Sequence, residues 1–409
     1  MAGINSFLQL LFLLLLFGSL YLKAIKLCLC NNDVKVPCLR IERQALLQFK
    51  EAIIDTSHRL SSWHGDDCCG WEGVGCDNKT GHVLKLQLGN PVSLFDDDIA
   101  SFERSTLSGE ISPSLLDLKQ LNVLNLSFNN FGEIHIPKFI GYLEKLRVLD
   151  LSNSHFSGKI PSQLGNLSNL IHLNLYNNSG IYTENLNWFS GLSSLSYLNL
   201  GWANLSTGST KWLEHVCMLP SLRFLILEHS EIYYLPSSPP NSFGNITSLA
   251  GIDLSGNYFN SPIPQWLFNF SSLQYMYLIS ANLHGPIPDS FSNMTSLEYL
   301  DLSFNENITG FIPPSFGKLC KLQMLIVDGN QLTGGLPISL GNLEKLIHLS
   351  VADNQLNGNI PESLGNLRHL EYLDLSWNDW EGVLSEIHFA NLTSLYFLSL
   401  QLPSPMLLV

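Results

Sequence analysis

The chain has 409 residues, with 21 Lys and Arg against 35 Asp and Glu and a formal charge of −14. Phosphate-backbone binding requires clustered cations, and no long basic block is present, so nucleic acid is not an expected partner. A chain of this length is ordinarily two or more globular domains unless it repeats itself, and this one does.

Residues 7–22 read FLQLLFLLLLFGSLYL and are followed by Lys23. This is the apolar core of a secretory signal peptide, assigned to residues 1–28, and it is short for a span of about 20 residues. A retained anchor is the competing reading, because no Lys or Arg precedes the run and no small-x-small cleavage site stands between Gly18 and Cys30. No other apolar stretch approaches membrane-spanning length, so no further membrane helix is expected.

Residues 29–81 form the expected N-terminal cap. Four of the eight cysteines, Cys38, Cys68, Cys69 and Cys76, lie between residues 38 and 76, three of them in LSSWHGDDCCGWEGVGC. Such usage fits an oxidising compartment. A bridge between vicinal Cys68 and Cys69 would be strained, so two bridges tying this pair to Cys38 and Cys76 are expected. Zinc is the alternative, but no C-x-x-C pair or His at ligand spacing supports it, and no metal or other cofactor is expected. Asn-x-Ser/Thr sequons at Asn78, Asn125, Asn166, Asn177, Asn204, Asn245, Asn269, Asn293, Asn307 and Asn391 point to a glycosylated exterior.

From residue 82 to 400 the pattern L-x-x-L-x-L recurs. The first Leu of each L-x-L, or its substitute, stands at Leu124, Leu149, Leu173, Leu198, Leu225, Ile252, Met276, Leu300, Leu325, Leu349, Leu373 and Leu398, after an earlier anchor at Leu86. Intervals of 24 to 27 residues between the later anchors define about thirteen leucine-rich repeats. In LEYLDLSFN, Leu297, Leu300 and Leu302 point inward, while Asp301, Ser303 and Phe304 point outward from a strand of period two. Asn305 follows, and Asn129, Asn257, Asn330, Asn354 and Asn378 share its place, where a buried amide satisfies turn backbone. Elements such as FSGKIP, LHGPIP and LNGNIP then turn the chain, and short helical turns such as ESLGNLRHL return it.

The expected fold is therefore α/β: a curved leucine-rich-repeat solenoid with a parallel sheet on its concave face. Short 3-10 or α turns and extra short strands lie on the other side, and a disulfide cap with Trp63 and Trp71 as packing centres closes its start. Residues 90–106 interrupt the first coil, and from 178 to 244 the G-x-I-P element disappears. These departures are either recognition loops or tolerated drift. Outward strand positions carry Tyr176, Trp202, Glu228, His229, Tyr277, Phe304, Asp328, Asp353 and Trp377, aromatic residues and acids suited to a peptide or protein ligand. The alternative is that some pack only against adjacent strands. A last coil opens near Leu395 and breaks into an aberrant tail, residues 401–409, read as a truncation.

The segments CLRIERQALLQFK (residues 38–50) and LSSWHGDDCCGWEGVGCDNKTGHVLKLQL (residues 60–88) resemble plant extracellular leucine-rich-repeat proteins. The phrases LSGEISPSLLDLKQLNVLNLSFNNF, HIPKFIGYLEKLRVLDLSNSHFSGKIP and WEGVLSEIHFANLTSL resemble the receptor-like proteins that include the fungal-xylanase receptors. That resemblance implies a plasma-membrane receptor without a kinase, perceiving microbial elicitors in defence and signalling through partner receptor kinases. The chain departs from it in lacking a second half, a membrane helix and a tail. A soluble inhibitor similar to the polygalacturonase-inhibiting proteins, or a decoy, is the second hypothesis, and a kinase-receptor ectodomain cut short is the third.

Catalysis has little support. His172 and His348 lie seven coils apart, about 34 Å at sheet spacing, and cannot share a metal. Phosphate loops and kinase motifs are absent. Cys217 and Cys320 are about four coils apart, beyond disulfide reach, and are expected to be buried thiols.

Overall fold

The computed structural model describes residues 36–91, 103–178, 180–208, 210–241, 244, 246–400 and 407–408. The signal-peptide segment, most of the 90–106 insertion, Asn245 and most of the 401–409 tail lie outside them. Residues 37–77 and 81 onward form one compact unit, to which the following applies.

Every anchor residue occupies the middle of a three-residue strand or, for Leu86, the fourth place of the strand Val83–Gln87. Because side chains alternate across a strand, the anchor and the residue two beyond it enter one apolar column. The strands pair in parallel with no register slip from Leu86 to Leu398: Leu86 lies beside Leu124, Leu300 beside Met276 and Leu325, and Leu373 beside Leu398. Slipping by one residue would expose a Leu and bury its polar neighbour in every coil, so the column itself enforces the register. The fold is a leucine-rich-repeat solenoid built on a 14-stranded sheet.

Behind the Leu column, the G-x-I-P elements make a second parallel sheet of six strands, from Ser261–Pro262 to Asp379–Glu381. A smaller pair, Gly158–Lys159 with Ile181–Tyr182, lies earlier. The row is interrupted between Asn204 and Ser261, where the sequence loses the element. There the longer coil folds a helix, Trp212–Val216, and Trp212 enters the core with its indole N–H donating to the Tyr234 carbonyl at 2.9 Å. Extra chain length is thus used for packing in this stretch.

The start of the solenoid is closed chemically as well as sterically. Cys38 is bridged to Cys68 and Cys69 to Cys76. Trp63 stacks on Trp71 at 5.5 Å and packs near Phe49 of the helix Arg40–Ala52. Glu42, on that helix, is buried and accepts the Val83 N–H at 2.6 Å with His82 Nδ1 at 2.8 Å, supplying a partner at the head of the first parallel strand. Arg59 clasps the cap to the coils by donating to the carbonyls of Leu88, Gly89 and Ser105 and to Asn129 Oδ1, all within 3.0 Å.

The turn asparagines form an internal ladder. Asn305 donates to the carbonyls of Leu278, Leu302 and Ser303, and its Oδ1 accepts from Ala281 and Leu283 of the preceding coil. Asn257 does the same between its own coil and the one before. One free thiol corrects the expectation of two buried ones: Cys217 is buried, but Cys320 is exposed because it sits in the turn following Pro314–Lys318.

Candidate functional site

The long sheet turns one face to the Leu column and leaves the other open. Its outward positions fall into rows, since equivalent residues of successive coils stand about 4.8 Å apart. The sequence-based candidates all follow the anchor, and the row immediately before it adds a feature they omit. His172 stacks on Tyr197 at 4.2 Å, and the ladder continues through Phe224, Tyr275 and Tyr299. A second run joins His348, Tyr372 and Phe397 at 4.1 and 4.2 Å. Phe224 and Tyr275 approach across Gly251, where an added Cβ would lie 2.6 Å from the Phe224 ring. Ring faces in these runs are covered by their neighbours, so edges and hydroxyls are what they offer a ligand. An aromatic or His before the anchor in coil after coil was the available signal.

Four residues beyond the anchor, the chain enters the left-handed region in most coils: φ is 68° at Trp202, 48° at His229, 56° at Phe304, 51° at Asp353 and 57° at Trp377. This conformation is costly for non-glycine residues, by about 1–2 kcal/mol, and here it is held by the repeat itself. It turns these side chains out along the rim. Trp202 and Phe304 are each 48 % exposed and Trp377 is 63 % exposed. Phe304 leans toward Gly329, where an added Cβ would meet its ring at 2.6 Å.

The expected residues therefore separate into three groups. Tyr176, Trp202, Glu228 and His229 come together across three adjacent coils: the Trp202 indole stacks on His229 at 4.4 Å and donates to Glu228 Oε1 at 3.3 Å, and the Tyr176 hydroxyl also bonds Glu228. Phe304, Asp353 and Trp377 are exposed further along. Tyr277, Glu228 and Asp328 are corrected as freely available contacts. Tyr277 is 6 % exposed and Glu228 8 %, because each is flanked at about 4.8 Å by residues at the same place in the adjacent coils. Asp328 is half-buried and spends its carboxylate on Ser350 Oγ and the Ala352 N–H, both at 2.8 Å. Likewise Asp301 and Ser303 leave the Leu column yet are buried, bonded to each other at 2.5 Å.

Burial also sets the protonation of this face. It pushes Asp253 up to about 7, with Glu228 adding to the rise, Asp328 up to about 7 and Asp301 up to about 6. It pushes His172 down, and His348 down to about 4. The aspartates, raised above their unfolded value, contribute stability that is present at low pH and lost as the pH rises through about 6 to 7. The histidines, lowered, contribute stability that is present above their ordinary value and lost as the pH falls. The slopes oppose each other in acid, and the aspartates act alone near neutrality. The melting temperature is expected to fall by a few degrees between about pH 6 and 7.5 and to change less below. Asp253→Asn should reduce that fall, and a melting temperature rising over the same interval contradicts the assignment.

Exposed sequons stand at Asn78, Asn166, Asn177, Asn269, Asn293, Asn307 and Asn391, and Asn125 and Asn204 are half-buried. Among the described residues, no group of three or more His, Cys, Asp or Glu is placed to hold a metal ion, and no helix is long and apolar enough to cross a membrane.

Residues 41–77 match the family described as leucine rich repeat N-terminal domain, and residues 145–167, 280–332 and 345–367 match leucine rich repeat families. Receptor-like protein EIX1 of Solanum lycopersicum is 36% identical over 302 residues, covering 72% of this chain and 27% of its own length. Receptor-like protein EIX2 of the same plant is 36% identical over 301 residues, covering 73% and 29%. Among solved structures, the Arabidopsis receptor kinase HAESA, in complex with the peptide hormone IDA and the co-receptor SERK1, is 30% identical with a TM-score of 0.66, over 90% of this chain and 54% of that one. The chain spans less than a third of the length of these curated relatives.

Proposed function

Starting from the fact that this chain is a leucine-rich-repeat protein related to the plant receptor-like proteins, we propose that it recognises an extracellular peptide or protein ligand on the open face of its long sheet. The observation that carries this is the line of exposed rings, Trp202, Phe304 and Trp377, held outward by left-handed backbone beside a ladder of stacked aromatics. Large rigid rings give contact area at low entropic cost. Solved relatives support it, since HAESA is bound to a peptide hormone and a co-receptor.

In this proposal the role is binding rather than catalysis. The ligand is a microbial elicitor sensed in defence, and a full-length form works with receptor-kinase partners at the extracellular side of the plasma membrane. Residues 1–28 direct secretion, residues 29–81 cap the solenoid, residues 82–400 form the repeats, and the exposed sequons carry glycans.

The test uses the secreted chain and a purified fungal xylanase, the elicitor class that the resemblance implies. Trp202→Ala with Trp377→Ala is expected to weaken binding at least tenfold, as loss of two interface anchors does, with secretion unchanged. Unchanged affinity removes the rim from the binding surface. Strong inhibition of a fungal pectin-degrading enzyme by the same preparation favours the inhibitor role instead.

A further inference from the structure

The cluster around Trp202 is shaped by two glycines. Tyr176, Gly201 and Glu228 occupy the same row in successive coils, and a Cβ on Gly201 would lie 2.9 Å from the Tyr176 ring and 3.0 Å from Glu228 Cγ. Only the missing side chain lets the hydroxyl and the carboxylate meet across that coil. On the rim, a Cβ on Gly256 would lie 2.3 Å from the His229 ring, so His229 settles over Gly256 with Trp202 stacked against it. The result is an exposed indole shelf whose inner edge is bonded to a carboxylate.

The carboxyl pair beneath the shelf has no cationic partner. Glu228 and Asp253 are hydrogen-bonded to each other, which two carboxyls do only by sharing a proton. Neither forms an ion pair among the described residues, whose ion pairs lie elsewhere. The titratable groups facing them are Tyr176, Tyr197, His229, Tyr277 and Asp301, and none brings a fixed positive charge. Buried carboxylates are ordinarily paired with a cation. An arginine suits this place better than a lysine: its planar guanidinium stacks on an indole and presents a fork of donors to a carboxylate.

We propose that the Trp202 shelf, with Glu228 and Asp253 beneath it, seats an arginine side chain of an extended peptide lying on the open face. This rests on that face being the recognition surface, and it adds the chemical class of one ligand residue. Arrival of the guanidinium takes the place of the proton that the pair otherwise shares. Gly201 and Gly256 are positioning residues: they act through Tyr176 and His229.

The probe is a tetra-arginine amide, compared with the uncharged isostere tetra-citrulline amide, titrated into the full secreted chain by calorimetry in 150 mM salt. The arginine peptide is expected to bind at least tenfold more tightly, and Glu228→Gln is expected to remove most of that difference. Asp379→Asn with Glu381→Gln, which takes more charge from the exposed strand Asp379–Glu381 of the opposite sheet, should leave the difference intact. Trp202→Ala, at an exposed position, repeats the test if Glu228→Gln lowers the yield of folded protein. Equal binding of the two peptides, equal losses in the front and back variants, or no binding overturns the proposal. If the arginine peptide fails while the Trp202 and Trp377 variant still loses xylanase, the arginine seat is wrong and the recognition surface stands. If the arginine peptide binds and that variant keeps xylanase, the recognition surface is wrong for that ligand.

Discussion

Leu300→Asp is expected to leave no folded protein to purify. Leu300 is fully buried and its strand pairs on both sides, with Met276 and Leu325 as its direct neighbours. The substitution removes a Leu side chain from the column, a loss of about 2–5 kcal/mol, and introduces a carboxylate with no partner in an apolar layer, a further cost of several kcal/mol. A solenoid holds together through nearest-neighbour interfaces, so one failed coil separates the column into two parts with raw apolar ends. The expected readout is disappearance of the secreted protein, with Leu300→Met secreted normally as the control for volume. Secretion of a folded Leu300→Asp protein, with an unchanged circular-dichroism spectrum, contradicts the continuous core.

Asn305→Ala is expected to destabilise almost as severely by a different route. Three backbone groups from two coils lose their partner at once, the Leu278 carbonyl and the N–H groups of Ala281 and Leu283, while the carbonyls of Leu302 and Ser303 keep only Asn330 Nδ2 and the Ser280 N–H. Each buried unsatisfied group costs about 1–3 kcal/mol, so a loss of at least about 3 kcal/mol is expected. Urea unfolding measures it, and Asn305→Asp, which keeps an acceptor but no donor, should fall between the two. A loss below about 1 kcal/mol means that water or a shifted turn replaces the amide.

The solenoid was legible because its cause is periodic. Each Leu anchor repeats within a narrow interval and each Asn stands at a constant distance beyond it, so strand register and turn hydrogen bonds follow from spacing alone. Cys38, Cys68, Cys69 and Cys76 are likewise concentrated in one short segment. The open face was only partly legible, for reasons of lateral packing. Trp202 and Tyr277 both point out of the sheet, yet one stands on the rim in left-handed backbone and the other ends a strand and is buried between neighbours. Period two distinguishes inward from outward, but exposure depends on what the adjacent coils carry at the same place. The roles of Gly201 and Gly256 have the same origin: their effect is felt by Tyr176 and His229, some 25 residues away in sequence and one coil away in space. The stacked row from His172 to Tyr299 becomes visible only when the coils are aligned one under another.

The central claim is that ligand recognition occurs on the open face of the long sheet. Hydroxyl-radical footprinting of the secreted chain, with and without fungal xylanase, tests it most directly because aromatic rings on both sides are exposed and oxidisable. The account predicts protection of Trp202, Phe304 and Trp377, with Tyr142 and Phe311 on other surfaces oxidised as before. Protection confined to Tyr142 and Phe311, or none anywhere, contradicts it.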